Sequence, residues 1–386
     1  MDRQALTTAV SADFIYIREQ ESLNALTQRV GAAERVALDT EADSLHNYFE
    51  KVCLIQLSLA DEHYLIDPLA GLDLADFLGV LAEKPLLLHG GDYDLRMLRA
   101  SFGFRARQEV FDTMIAAQLL GFEQIGLAAL IERYFAVTIA KTGQKSDWSR
   151  RPLSEKQLHY AVNDTRYLAV LADRLADELT SRGRLDWHRQ SCQAMVEAAG
   201  QEKLRDVENG WRIKGSGRLS RRQLAHLREL WHWRDEHARR LNRPPFHIAG
   251  NQLIFELVEW ADSHASVPLA EGPKLPRNIR GGLLASLEGA IAHAARMAEA
   301  EWPERKRGER AAALSDQELE NFTALREACA AMAKELEIAP STLVPKAALE
   351  AIVRNRAHSA DEIVERAGLL RWQAELVQGA VEKCLF

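Results

Sequence analysis

The N-terminal half of the chain alternates short apolar runs with segments whose apolar residues recur every three or four positions. Val36-Ala37-Leu38 is one such run, ending at Asp39. Val52 to Ala60 and His63 to Asp67 read as two more strands, joined by the turn-like pair Asp61-Glu62. Leu86 to Leu88 and Val110-Phe111 are further strand candidates, with helical patterns between and after them. This mixture predicts an α/β domain with a mixed central sheet.

After Pro152, the sequence Ser154-Glu155-Lys156-Gln157 fits a capping box that opens a helix. Its apolar stripe runs Leu158, Ala161, Leu168, Leu171, Leu175. Asp164 falls on the same stripe, and Tyr160 lies one turn earlier on that face. A carboxylate on a core-facing stripe is rarely left there unless it is paired or bound to metal.

Beyond about residue 205 the pattern is helical throughout, and it repeats at an offset of 95 residues. Ser220 falls on Ser315, Leu230 on Leu325, Pro245 on Pro340, Ile254 on Leu349 and Val258 on Val353. Each copy opens with a capping-box pattern, and each long first helix ends near proline. The expected organisation is therefore a first domain over 1–205 and two all-α bundles over 206–297 and 298–386. The charged stretch Glu299 to Arg310 would link the two bundles.

The chain's 386 residues, 47% apolar and 27% charged, are those of a multi-domain globular protein. No apolar run reaches the length of about 18 residues that a membrane span needs. Met1-Asp2-Arg3-Gln4 leads into no signal-peptide pattern. Cys53, Cys192, Cys329 and Cys384 are scattered, which argues against a disulfide framework or zinc cluster and leads us to expect a reducing cytoplasm. The net charge of −7 is unevenly spread: from Lys203 to Phe246 there are 12 Lys and Arg against 5 Asp and Glu, leaving −14 for the rest. That basic middle is a candidate phosphate footprint, or else a solvated helix face.

The candidate chemistry lies in three separated segments. Asp39-Thr40-Glu41 puts two carboxylates at alternate positions of a strand end, hence on one side. Alone, this pattern is common at solvated strand ends. Asp94 follows the apolar run Leu86–Leu88 and the glycine pair Gly90-Gly91, while Asp92 reads as a residue capping the next helix. Tyr160 and Asp164 come from the capped helix. Oxygen donors of this kind suit hard cations such as Mg²⁺ or Mn²⁺ and support two-metal hydrolysis of a phosphodiester. With an ordinary pKa of about 10, the tyrosine would orient the attacking water rather than act as base. The basic loop around Asp147-Trp148 contains Lys141, Lys145, Arg150 and Arg151, which could hold phosphates while Trp148 stacks a base or packs on the domain. Trp231 fits a core stripe, and Trp233 is open to either role. The histidines show no paired-ligand spacing, so none is assigned to metal.

Asp39-Thr40-Glu41, Tyr93-Asp94 and Tyr160-Ala161-Val162-Asn163-Asp164 resemble the three exonuclease motifs of the DEDD superfamily, and the last marks its tyrosine branch. Cys53 to Gln56, Leu65 to Leu69 and Asp147 to Leu153 are similar to ribonuclease D, and the paired helical modules resemble the HRDC domain that ribonuclease D carries twice. Many superfamily members place an asparagine ahead of the second-motif aspartate; here His89, Gly90 and Gly91 stand there.

The resemblance implies a ribonuclease-H-like exonuclease fold followed by two HRDC-like bundles. It also implies 3′→5′ trimming of RNA with a free 3′ end, such as transfer RNA precursors, with release of nucleoside 5′-monophosphates. Asp39, Glu41, Asp94 and Asp164 take the metal-ligand roles for two Mg²⁺ or Mn²⁺ ions, and Tyr160 positions water. Thr40, His89, Lys141, Lys145, Trp148 and Arg151 are the candidate substrate contacts. No organic cofactor and no membrane are expected. A proofreading-type DNA exonuclease and a non-catalytic RNA-binding scaffold are the rival readings, the first because 2′-hydroxyl recognition has no assigned residue.

Overall fold

The computed structural model describes residues 10–11, 14–139, 143, 146–201, 206, 208–264, 267–305 and 314–386. Among the described residues, seven strands build one mixed sheet: β1 (Val10–Ser11), β2 (Phe14–Ile17), β3 (Val36–Ala42), β4 (Val52–Leu59), β5 (Glu62–Ile66), β6 (Leu86–Leu88) and β7 (Val110–Asp112). Their order is β1-β2-β5-β4-β3-β6-β7. The β3-β4-β5 meander is antiparallel, and β6 and β7 add in parallel beside β3. Every residue of β4 is buried, which is why its sequence reads as a nearly continuous apolar run rather than an alternating one.

Two strand limits differ from the hydropathy pattern for a physical reason. β3 does not stop at Asp39; it pairs with β4 through Asp39↔Gln56, Thr40↔Ile55 and Glu41↔Leu54, with an irregularity only at Glu41/Ala42. The ladder continues beneath polar side chains, which apolar periodicity cannot register. Between β4 and β5, Ala60 takes a left-handed φ of 49°, so the reversal begins one residue early and β5 starts at Glu62.

The capping box forms as expected: Ser154 accepts from Gln157 N, and the Gln157 side chain accepts from Ser154 N. The apolar stripe that follows runs through two helices, Glu155–Arg166 and Leu168–Ser181, which join at Tyr167.

The chain divides into two compact units. Met1–Ala42, Lys51–Glu202 and Leu314–Phe386 form one, and Asp43–Glu50 with Lys203–Ala313 form the other. In the first, helix residues Ala116, Leu171, Leu175 and Leu179 share one apolar core with Leu325, Ile352, Trp372 and Val377 from the C-terminal segment. Trp187 and Trp372 stack there at 4.7 Å. In the second, Trp211, Leu227, Leu230, Trp231, Trp233, Leu257 and Leu287 make the core. Trp233 is buried and donates to Ser286 Oγ at 3.0 Å, so it offers no face to a base. Tyr48 of the short segment donates to Asp235 at 2.9 Å, and Asn242 Oδ1 accepts from the amides of Tyr48 and Phe49.

The two helical segments follow the same plan. Helix Arg221–Arg240 is followed by Pro245–Ile248 and Asn251–Ser263; helix Asp316–Glu335 is followed by Pro340–Leu343 and Lys346–Asn355. Both long helices carry a complete capping box. After each, one left-handed residue turns the chain toward proline, Asn242 in the first copy and Glu337 in the second. No described helix is long and apolar enough to cross a membrane.

Candidate active site

The site is built where β3 passes the start of the helix Asp92–Phe102. Asp39 and Glu41 alternate with Thr40 along β3, so the two carboxylates share a face. Thr40 donates from both N (2.9 Å) and Oγ1 (2.6 Å) to Oδ1 of Asp94, tying the helix to the strand. The approach to that helix depends on glycine. Gly90 has φ +69°, and a Cβ on Gly91 would meet Leu88 Cδ1 at 2.4 Å. Asp112, fully buried at the end of β7, fixes this turn: its Oδ2 accepts from Gly91 N, and its Oδ1 accepts from Met114 and Ile115 N. Tyr160 and Asp164 come one turn apart from the helix Glu155–Arg166.

Asp39, Glu41, Asp94, Tyr160 and Asp164 all line one cavity of about 490 Å³, together with Thr40 and His89. Asp39, Glu41 and Asp164 each bring a carboxylate oxygen within 4.8 Å of the other two. Asp94 lies outside this tight trio, its Oδ1 held by Thr40.

Burial and mutual repulsion disfavour the ionised forms throughout. Burial first, then the charges of Asp94, Asp164 and Glu41, hold Asp39 well above the usual carboxylate range. Glu41 is pushed up to about 9 by burial, then by Asp164 and Asp94. Burial and Asp94 raise Asp164 to about 7. Burial raises Asp94 to about 6 even though the Thr40 hydrogen bonds pull the other way. Tyr160 is shifted upward by burial and the neighbouring carboxylates, so its phenol keeps its proton and acts as a donor. An all-oxygen cluster whose charges repel when ionised is the donor set a divalent cation satisfies.

Not every candidate substrate contact belongs to this cavity. Lys141 and Lys145 lie outside the described residues. Trp148 is 1% exposed and packs 6.1 Å from the Tyr160 ring, so it supports the tyrosine and has no free face for a base. Arg151 is likewise committed elsewhere. Its Nε and Nη2 donate to both oxygens of Asp67, Nη2 also to Cys53 O, and Nη1 to Trp148 O and Arg150 O. With all five donors engaged, it anchors the loop and has none left for a phosphate. Asp92 makes a half-exposed ion pair with Arg96 at 2.6 Å and no side-chain cap.

The basic stretch is also partly self-satisfied: Arg218 pairs with Glu259, Arg222 with Asp262 and Arg228 with Glu229, while buried Arg234 donates to Ala249 O and Asn251. Arg239, Arg240 and Arg243 are exposed, as is Phe246.

Three residues at the site escaped the reading of the sequence. Asp112 precedes Thr113 at a strand end, where it looks like an ordinary helix cap. Gly143 carries no pattern at all; Gln56 stands in the segment that resembles ribonuclease D but has no role assigned there, although its interruption of an apolar strand was a usable signal.

The chain is similar to known proteins over most of its length. A family model described as 3′-5′ exonuclease matches residues 14–180, and one described as HRDC domain matches residues 223–261. Fold and site together define a 3′→5′ exonuclease. The chain is 30% identical over 353 residues to the ribonuclease D of Pseudomonas paraeruginosa, covering 88% of this chain and 89% of that one. It is 34% identical over 247 residues to the ribonuclease D of Zymomonas mobilis, a match spanning 62% of each chain. The crystal structure of Escherichia coli RNase D, an exoribonuclease involved in structured RNA processing, superposes with a TM-score of 0.69 at 24% identity, covering 96% of this chain and 98% of that one. The chain belongs to the ribonuclease D family of 3′→5′ exoribonucleases.

Proposed function

We propose that this chain removes nucleotides one at a time from the 3′ end of structured RNA, transfer RNA precursors among them, releasing nucleoside 5′-monophosphates. The observation that carries this reading is the convergence of four carboxylates and a protonated tyrosine in one cavity of nucleotide size. Asp39, Glu41, Asp94 and Asp164 would hold two Mg²⁺ or Mn²⁺ ions. Bound there, the pair would supply the Lewis acidity that makes water nucleophilic near neutral pH and eases departure of the 3′-oxygen.

The chain's own residues do the positioning. Thr40 fixes Asp94 through two hydrogen bonds, so the carboxylate is oriented before any ion arrives. Tyr160 keeps its proton and hydrogen-bonds the attacking water in line with the scissile bond. The HRDC-like modules, 206–297 and 298–386 in our division of the chain, would extend the grip on folded RNA beside an exonuclease domain over 1–205. Four cysteines that form no disulfide fit work in the reducing cytoplasm.

The test is a product ladder from matched RNA and DNA oligonucleotides incubated with Mg²⁺, with and without chelator. Stepwise shortening of RNA from the 3′ end that stops in chelator is expected. Full activity in chelator after dialysis would sink the metal-dependent reading, and equal cleavage of DNA would sink the preference for RNA.

A further inference from the structure

His89 lines the carboxylate cavity but has no part in the chemistry proposed above. Its tautomer follows from its neighbours. Nδ1 lies 2.9 Å from Oγ1 of Thr113, and that hydroxyl lies 3.0 Å from the carbonyl oxygen of Leu88. A carbonyl can only accept, so the single Thr113 proton goes to Leu88 and the hydroxyl oxygen accepts from the imidazole. Both bonds form together only when the ring proton sits on Nδ1. Burial lowers the imidazole pKa, against the pull of Asp112, which keeps the ring neutral. Nε2 therefore carries a lone pair, and among the described residues it has no hydrogen-bond partner.

The chemistry of the cavity limits what can meet that lone pair. The walls are carboxylates, which accept or bind cations, so a further neutral acceptor selects for a ligand that brings a proton. Phosphate oxygens of RNA bring none near neutral pH. Base edges offer donors that differ from one nucleotide to the next, which does not suit an enzyme that removes each nucleotide in turn. Every 3′-terminal ribonucleotide carries the same two donors, its 2′- and 3′-hydroxyls. The 2′-hydroxyl is also the group that separates RNA from DNA.

We infer that Nε2 of His89 accepts a hydrogen bond from a hydroxyl of the 3′-terminal ribose, making His89 a substrate-selecting residue of this site. The inference rests on the nuclease reading of the cavity and adds the group that reads the sugar. Thr113 then acts as a positioning residue, because its bond to Leu88 is what turns the imidazole lone pair outward.

The experiment uses the full chain and three RNA oligonucleotides that differ only in the last nucleotide: ribo, 2′-deoxy or 3′-deoxy. The wild type should lose about 10-fold or more in kcat/KM when the recognised hydroxyl is removed, the size expected when a buried acceptor loses its donor. In His89→Asn the amide can take over the bond to Thr113 but offers no acceptor at the Nε2 position. That variant should cleave the ribo and deoxy substrates at the same reduced rate, with the Mg²⁺ requirement and melting curve of the wild type. His89→Gln, whose Oε1 reaches the Nε2 position, should recover part of the preference. The hydroxyl whose removal becomes silent in His89→Asn is the one His89 reads. A His89→Asn variant that keeps the wild-type ratio between ribo and deoxy substrates overturns the inference, including one whose rates on all three fall by the same factor, which is the mark of a merely structural role. A wild type that cleaves none of the three RNAs overturns the nuclease reading itself.

Discussion

Gly143 packs against the ring of Tyr160 so closely that a Cβ on the glycine would lie 2.3 Å from the ring's Cγ. No real side chain tolerates that distance, so the absent Cβ is what lets the backbone brace the phenol. Trp148 packs 6.1 Å away, centroid to centroid, as a second support for the ring.

Gly143→Ala should therefore act as a positioning mutation. The ring must move by more than half an ångström, and a water held by the phenol loses its alignment. We expect kcat to fall roughly 10- to 100-fold, the value of one hydrogen bond of about 1.5–3 kcal/mol, with the Mg²⁺ concentration for half activity unchanged. Tyr160→Phe should give the same split, and the double variant little more than either alone. An unchanged kcat, measured where chemistry limits the rate, would reduce both residues to packing.

Asp94→Asn and Asp164→Asn should abolish cleavage while raising the melting temperature of the metal-free protein. Asp94 is buried and Asp164 half-buried, each near like charges, with pKa values pushed up to about 6 and about 7. An amide removes the repulsion, and in a unit of this size each kcal/mol relieved is worth roughly 2–4 °C. Calorimetry in chelator checks the sign. A lower melting temperature for Asp164→Asn would mean that the carboxylate is structural.

The pH dependence follows from the same shifts. Folded-state pKa values of about 6, 7 and 9 for Asp94, Asp164 and Glu41 stand above their ordinary values near 4. A group raised in this way contributes stability that is complete below its unfolded pKa and is lost as pH rises through the folded one. Metal-free protein should thus melt lower at about pH 8.5 than at about pH 5.5, and Mg²⁺ should raise the melting temperature more at the higher pH. A Mg²⁺ effect that is flat across this range would count against the carboxylates as its ligands.

Why some of this could be read from residues alone, and some not, has physical causes. Asp164 was conspicuous because a carboxylate on an apolar stripe violates the helix's own pattern. Asp39 and Glu41 share a side by strand geometry, so their meeting needed no tertiary information. Arg151 was misread because a basic loop looks the same whether its guanidinium faces a phosphate or a buried Asp67. Trp148 was ambiguous for a similar reason, since aromatic residues mark both stacking faces and cores. The join between the helix Leu168–Ser181 and the C-terminal segment was invisible: the apolar stripe announces that a face is covered, not which distant helix covers it.

Gln56 offers a test of the apolar-strand interruption. It is fully buried opposite Asp39, and neither amide atom has a hydrogen-bond partner within the described residues. An unmet buried polar group costs about 1–3 kcal/mol. Gln56→Met, similar in shape, should raise the melting temperature of metal-free protein. The Mg²⁺ needed for half-maximal stabilisation should increase, because the amide that can steady ionised Asp39 is gone. A melting temperature lower than the wild type's would show that the amide is already satisfied.

The C-terminal segment supplies the last prediction. Every proposed catalytic residue precedes Arg184, so a chain ending there would keep the whole site, and on sequence alone it ought to cleave. The packing says otherwise. Arg184 is buried, donating to Leu119 O at 2.6 Å and to Leu336 O at 2.5 Å, and so joins the catalytic domain to the segment that begins at Leu314. Leu171, Leu175 and Leu179 share their core with Leu325, Ile352 and Val377 from that segment. Ending the chain at Arg184, or at Ala313, would bare these leucines to water at about 25 cal/mol for each Å² of apolar surface, enough to exceed the margin of a typical domain. Both truncated chains should aggregate or melt without a cooperative transition. Excising 206–297 behind a flexible linker should instead leave a folded, catalytically competent unit, since its own core is separate. If the removed module grips RNA, that shortened protein should bind structured RNA more weakly and with a shallower salt dependence, by roughly 0.7–0.9 in slope for each phosphate that is no longer neutralised. Size-exclusion chromatography and circular dichroism decide the first part, and affinity across a salt series decides the second. A well-folded monomer from the chain ending at Arg184 would refute the structural role of the C-terminal segment. Equal salt slopes from two folded proteins would refute RNA binding by the excised one.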